Sequence, residues 1–258
     1  MERILVTGAG GQLGLTFQER ALDFPEIYFD FKTADKLDIA QPSQLVDVFE
    51  QGHYDFCINC AAYTNVEQAE KNPEKAFNIN AEGVKNLAEA CRAHKTVLIH
   101  ISTDYVFDGE KKEPYTITDK PNPINEYGKS KLRGEQFIQE ILPNHFIVRT
   151  SWLYSKKYGH NFYRSIIKKA MEGEDLYITD AQRGCPTNTD ALVRFIIEEI
   201  ILGEKLFGIY HYTDGKPMTW YDFAKQILKE NNLVNKARLV LDSNYRTFAK
   251  RPKNSVLS

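Results

Sequence analysis

A turn with glycines at three-residue intervals constrains this chain more than any other feature. Val6-Thr7-Gly8-Ala9-Gly10-Gly11-Gln12-Leu13-Gly14 follows the apolar run Ile4-Leu5-Val6 and opens a helical stretch from Gln12 to about Leu22. Glycines at 8, 11 and 14 give Gly-x-x-Gly-x-x-Gly, a shifted form of the Gly-x-Gly-x-x-Gly dinucleotide fingerprint. Glycine there permits a tight turn, lets backbone approach a pyrophosphate and lets the helix pack close to the strand. The helix N-terminus adds unpaired N–H groups and a partial positive charge that suit phosphate. The segment therefore predicts a dinucleotide lying across Gly8, Gly10, Gly11, Gln12, Leu13 and Gly14. A bare strand-to-helix turn has the same local pattern, so the remainder of the chain must decide.

Strand and helix patterns continue to alternate. Apolar runs at Ile27-Tyr28-Phe29, 56–59, 96–101 and 146–148 read as strands. Helices are expected over 43–50 behind Pro42, over a long stretch opened by Asn72-Pro73 and reaching Cys91, and from Tyr127 to about Ile141. This rhythm predicts an α/β fold, a Rossmann-like doubly wound parallel sheet, over residues 1–150. After Thr150 the rhythm loosens through an aromatic loop, Trp152-Leu153-Tyr154. Helices follow at 162–171, 190–202 and from an N-cap at Thr219 to Glu230, with short strands at 176–178, 209–212 and 240–241. Residues 151–258 read as a smaller C-terminal substrate-binding lobe, interleaved with the first domain. The chain stops at Ser258 after a polar loop with no closing helix, which reads as a shortened C-terminus.

Composition narrows the partners. A net charge of -2 argues against a nucleic-acid surface, which needs a basic excess. No apolar run approaches the ~20 residues of a membrane span, and the N-terminus enters a strand without room for a signal peptide. The expectation is a cytoplasmic protein. Cys57-Ile58-Asn59-Cys60 has C-x-x-C spelling but lies in a strand and its exit, where residues three apart point to opposite faces. Cys91 and Cys185 are isolated and the six histidines have no ligand spacing, so they read as structural or solvated and no metal site is expected.

Proton chemistry is suggested further along. Tyr127-Gly128-Lys129-Ser130-Lys131 places a phenol and an ammonium on one helix face. A nearby cation favours the phenolate. Ile101-Ser102-Thr103 follows the central apolar strand, so Thr103 falls where open parallel sheets bind ligands, beyond the carboxyl ends of their strands. Thr103 is expected to orient a reacting oxygen, Tyr127 to exchange its proton, and Lys131 to keep the phenol acidic and hold the nicotinamide ribose. For the adenosine ribose, an acidic residue near the end of the second strand suits NAD and a base suits NADP. Asp30 and Lys32 both qualify, so NADPH and NADH stay open.

These motifs resemble the extended short-chain dehydrogenase/reductase family over essentially the whole chain. The resemblance is carried by residues 7–14 and by Asn59-Cys60-Ala61-Ala62-Tyr63-Thr64-Asn65-Val66-Glu67. It also rests on Ser102-Thr103-Asp104-Tyr105-Val106-Phe107, the Tyr127–Lys131 motif, Arg149-Thr150-Ser151-Trp152 and Arg251-Pro252-Lys253-Asn254-Ser255. It implies further cofactor contacts at Asp38, Ile39, Ala61, Ala62 and Tyr63. It implies substrate contacts at Thr64, Val66, Thr103, Asp104, Tyr105, Trp152 and Arg183. The implied reaction is reduction of the C4 carbonyl of dTDP-4-dehydro-L-rhamnose, with Tyr127 protonating the alkoxide, and the implied assembly is a homodimer. Some family members hold a metal between subunits through an acidic residue just after the glycine motif; Leu15 stands there in this chain. Two alternatives share the motifs: a nucleotide-sugar epimerase or dehydratase, and a non-catalytic dinucleotide-binding regulatory subunit.

Overall fold

A computed structural model describes residues 1–258. Six parallel strands form the central sheet: β1 (Arg3–Thr7), β2 (Tyr28–Lys32), β3 (Phe56–Asn59), β4 (Val97–Thr103), β5 (His145–Thr150) and β6 (Gly208–His211). Their spatial order is β2-β1-β3-β4-β5-β6. The expected doubly wound parallel sheet is present, and its direction of winding reverses between β1 and β3, where such sheets open a crevice.

Alternating strand residues feed two cores. Ile4, Val6, Ile58, Ile99 and Val148 face α1 (Gln12–Arg20) and the stretch from Leu192 to Ile201. Leu5, Cys57, Leu98 and Ile147 face α2 (Pro42–Gly52), and on that face also lie buried residues of the helices at Val84–His94 and Glu126–Ile141. Burial on both faces explains the continuous apolar runs of the sequence. Cys57 and Cys60 belong to opposite faces, and all four cysteines are free thiols. No helix is long and apolar enough to cross a membrane.

Several elements depart from the sequence reading. A short helix, α3 (Val66–Lys71), stands where the sequence shows no helical pattern; the Asn65 side chain caps it by accepting the Gln68 N–H. The long helix expected over 73–91 is three pieces: α4 (Pro73–Phe77), a π-helical turn (Asn78–Gly83) and α5 (Val84–His94). The widened turn aims Asn80 inward, where its amide clamps both backbone groups of Tyr63 and the Ser130 hydroxyl. Strand β2 runs on to Lys32, so Asp30 and Lys32 share one strand face and pair at 3.0 Å.

Helix α6 (Glu126–Ile141) follows β4, and α7 (Phe162–Met171) follows β5. The chain then returns to the main body through α8 (Thr189–Arg194) and a π-helical stretch (Phe195–Ile201), and adds β6 at the sheet edge. A third, smaller core joins α7 to α9 (Trp220–Glu230) through Tyr163, Ile166, Phe223 and Ile227. Thr219 caps α9 with a reciprocal bond to Asp222, as its sequence suggests. The C-terminal segment is threaded into the body. The Tyr115 N–H donates to the Val256 carbonyl at 2.7 Å, and Leu257 is buried with Val106 and Phe107.

Candidate active site

The crevice at the switch point is a cavity of about 740 Å³, within the usual range for small-molecule sites. Its floor is the glycine turn. Gly8 has φ +62°, and a Cβ there would meet the Ala61 backbone at 2.5 Å. A Cβ at Gly14 would meet the Ala9 backbone at 2.5 Å, so this glycine brings helix against turn. Gly10 and Gly11 are exposed, and a Cβ on either meets nothing closer than 3.4 Å. The N-cap of α1 is Gly11, whose missing side chain leaves the first helical N–H groups uncapped. The cradle therefore fits a dinucleotide pyrophosphate: open backbone, uncapped donors and a helix N-terminus coincide.

Opposite the cradle, the end of β4 and the start of α6 bring the three candidate reacting groups together. Thr103, Tyr127 and Lys131 all line the cavity. The Thr103 hydroxyl accepts the Tyr105 N–H at 3.1 Å and faces the Tyr127 phenol. Asn125 caps α6 by accepting the Gly128 N–H at 2.7 Å, which fixes the helix start that carries Tyr127. A side chain at Gly128 would strike the Tyr105 carbonyl at 2.1 Å, so the turn Asp104–Val106 that follows β4 touches α6 there through bare backbone.

Electrostatics differ from the sequence expectation in one respect. Burial pushes the Tyr127 phenol well above its ordinary value, with the Thr103 hydroxyl acting against it. The Lys131 ammonium does not hold this phenol acidic. It donates instead to the Ile101 carbonyl at 2.7 Å and lies 3.2 Å from His100 Nε2. Burial pushes Lys131 down to about 8, with Glu135 and Cys60 opposing. Asp104, 2% exposed, is pushed up to about 7 by burial, with the Ser255 and Thr103 hydroxyls opposing, and its Oδ2 makes no hydrogen bond of regular geometry. Thr150, beside Thr103 in the β4–β5 register, likewise has an unpartnered buried hydroxyl on the cavity. Two such buried polar groups at one wall suit a polar ligand.

The remaining wall is aromatic. The Trp152 and Trp220 rings stack with centroids 3.6 Å apart, and Phe162 lies 4.6 Å from Trp220. Trp152 has φ +48°, and its indole lies so close to Gly184 that a Cβ would meet it at 2.6 Å. Asn161 donates to Gln12 Oε1 at 3.0 Å and Gln12 donates to the Leu153 carbonyl at 3.1 Å, tying this wall to the glycine turn.

Of the residues singled out from the sequence, the cavity gathers Gly8, Gly10, Gly11, Gln12, Leu13, Gly14, Asp38, Ile39, Ala61, Ala62, Thr64, Thr103, Asp104, Tyr127, Lys131 and Trp152. The others are not on its lining. Asp30 and Lys32 are paired to each other, and Asp30 also accepts the Tyr54 hydroxyl. Tyr63 is held by Asn80 through its backbone, Val66 begins α3, and Arg183 is exposed. Tyr105 stands behind the wall, its ring 5.9 Å from Tyr127 and its hydroxyl 3.3 Å from Arg251. Thr150, Asn161, Phe162 and Trp220 line the cavity although the sequence does not single them out. Thr150 belongs to the Arg149–Trp152 motif; the other three come from a lobe whose placement no local pattern gives.

A dinucleotide cradle facing a Thr–Tyr–Lys cluster across a parallel sheet is the working arrangement of an NAD(P)H-dependent oxidoreductase, and this chain is one. The family model described as RmlD substrate binding domain matches residues 1–258, and the chain belongs to that family. It is 37% identical to the dTDP-4-dehydrorhamnose reductase of Aggregatibacter actinomycetemcomitans, over 100% of this chain and 90% of that one. It is 35% identical to the Escherichia coli K12 enzyme of the same name, over 99% and 89% of the two chains. Among solved structures, the dTDP-4-dehydrorhamnose reductase of Bacillus anthracis in complex with NADP superposes with a TM-score of 0.94. The identity is 39%, covering 100% of this chain and 91% of that chain.

Proposed function

We propose that this chain reduces the C4 keto group of dTDP-4-dehydro-L-rhamnose to give dTDP-L-rhamnose, using NADPH or NADH. The observation that carries the reading is the meeting of Thr103, Tyr127 and Lys131 at the carboxyl end of β4, directly across the crevice from the glycine cradle. When bound, the reduced nicotinamide supplies the hydride that adds to the carbonyl carbon. Thr103 orients the carbonyl oxygen, and the Tyr127 phenol, kept protonated by burial, gives that oxygen its proton. Solvent restores the phenol. A donor so placed contributes roughly 10²–10⁴ in rate. Asp104 and Thr150 offer unpaired polar groups to the sugar hydroxyls, and the Trp152–Trp220 wall offers a flat apolar surface.

The same proposal places the reaction in the cytoplasm and the working particle as a homodimer, whose mass solution light scattering reads directly. Mixing the protein with dTDP-4-dehydro-L-rhamnose and each reduced cofactor, and following loss of the cofactor's near-ultraviolet absorbance, tests the function. Stoichiometric oxidation of at least one cofactor is expected. A hydride returned to the sugar without net oxidation identifies an epimerase or dehydratase; dinucleotide binding with no turnover identifies a regulatory subunit.

A further inference from the structure

Lys131 does not stand alone in the sheet. A row of polar side chains crosses three neighbouring strands to reach it. Register pairs Thr7 on β1 with Asn59 on β3, and Asn59 with His100 on β4. Thr7, Asn59, His100 and Lys131 are each at most 2% exposed. Buried polar groups in such a row must find complementary partners, so the direction of each hydrogen bond follows from its neighbour.

The direction is set at Asn59. Its Oδ1 accepts the Ala61 backbone N–H at 3.2 Å, which can only donate, and the Thr7 hydroxyl at 2.6 Å. The amide therefore presents Nδ2 as a donor to His100 Nδ1, 2.9 Å away. His100 Nδ1 must accept. A neutral imidazole with an accepting Nδ1 carries its proton on Nε2, and Nε2 faces Lys131 Nζ at 3.2 Å. A neutral amine accepts that N–H and leaves every member satisfied. An ammonium has no lone pair, so two donors then oppose each other. Burial and the neighbouring Lys131 push His100 well below its ordinary value, so an imidazolium does not arise to change this wiring.

We propose that His100, locked as the Nε2–H tautomer by Asn59, is a positioning residue that disfavours the ammonium form of Lys131 and so sets the charge beside the reacting phenol. The proposal rests on the reading above in which Lys131 stands with Thr103 and Tyr127 in the reacting cluster. Other groups facing the pair do not reverse it. Glu135, on the same helix, favours the ammonium but is itself held by Arg149 and Ser102. Cys60, from the end of β3, is kept a neutral thiol by burial. His145, on β5, faces His100 and gives its Nδ1 to the Leu142 carbonyl.

Two measurements on the full chain test it. Nitrogen NMR of the wild-type protein reads the tautomer of His100 and the titration of Lys131 without any substrate. The expected result is a proton on Nε2 throughout the range in which Lys131 titrates; a proton on Nδ1 overturns the proposal. The second is the pH profile of kcat/KM. Loss of the Lys131 ammonium is expected to form its alkaline limb. His100→Leu removes the opposing N–H, and Asn59→Asp demands a proton on Nδ1 and turns a lone pair toward Lys131. Each is expected to move the limb up by roughly one pH unit. His100→Gln restores an acceptor and a donor in one amide and is expected to bring it back. An unmoved limb in both Asn59→Asp and His100→Leu overturns the proposal. Should the proposed substrate fail to turn over, the tautomer and the Lys131 titration still decide the wiring, separately from the function.

Discussion

At Gly11 a methyl group meets nothing closer than the Gly8 carbonyl oxygen at 3.4 Å, whereas at Gly14 it meets the Ala9 backbone at 2.5 Å. The two glycines therefore fail in different ways. Gly11→Ala is expected to fold with an unchanged melting temperature but to lose dinucleotide affinity by about tenfold or more, read by calorimetric titration. Gly14→Ala is expected to lose about 1–3 kcal/mol of stability, because overpacking forces the helix off the turn. Tyr127→Phe removes only the hydroxyl that faces Thr103. It should lower kcat by about 10²–10⁴ while leaving cofactor affinity nearly intact; undiminished turnover would sink the proton-donor role. Asp104 carries a stability signature as well. Its folded-state pKa, about 7, lies above its ordinary value of 3.8. The neutral acid is thus favoured in the fold, and its contribution is complete below that ordinary value and lost as pH rises through about 7. Asp104→Asn should gain stability relative to wild type between about pH 5 and pH 8, by on the order of 3 kcal/mol at most. An unchanged difference in melting temperature across that range would count against a buried Asp104 carboxylate.

Between elements, the joint of α6 with β5 has the highest electrostatic stake. Arg149 and Glu135 pair at 2.6 Å with side chains 3% and 1% exposed, and Ser102 on β4 donates to the same carboxylate at 2.5 Å. Glu135→Gln leaves a buried guanidinium without its counter-charge, which should cost about 3–5 kcal/mol in urea unfolding. Local patterns show most of the elements, though not α3. The Gly8–Gly14 turn, the strand read at 96–101 and found at Val97–Thr103, and the Thr219 cap are all legible because each depends on nearby residues. The π-helical turn at Asn78–Gly83 is not, because its extra residue is imposed by Asn80 reaching Tyr63 and Ser130, partners distant in sequence. Asp30 and Lys32 show the same limit. Their spacing after the fingerprint suggests a ribose contact, but strand β2 continues through both and pairs them with each other.

For the whole molecule, the sequence points to an α/β body with a later lobe, and it does not show how the lobe closes the crevice. Phe162 and Trp220 reach the cavity from the starts of α7 and α9, far along the chain from Thr103. No local pattern places them beside Trp152; the smaller core that packs α7 against α9 does. The row from Thr7 through Asn59 to His100 is hidden for a related reason. Each residue looks ordinary in its own strand, and only the order β1-β3-β4 sets them side by side. The C-terminal segment reads as a polar loop at the chain end, yet distant residues fasten it. Asn125 donates to the Lys250 carbonyl, and Arg251 donates to both Glu67 and the Tyr105 hydroxyl. The Asn125 tie fastens the helix start that carries Tyr127 in the crevice, where the proposed function has a hydride reach a keto-sugar carbon and Tyr127 supply the proton. The most direct measurement uses reduced cofactor deuterated at nicotinamide C4, on the transferred face, with dTDP-4-dehydro-L-rhamnose, and locates the label in the product by NMR. One deuterium at sugar C4 is expected for each cofactor oxidised. Product without label at C4, or no product with either NADPH or NADH, would contradict it.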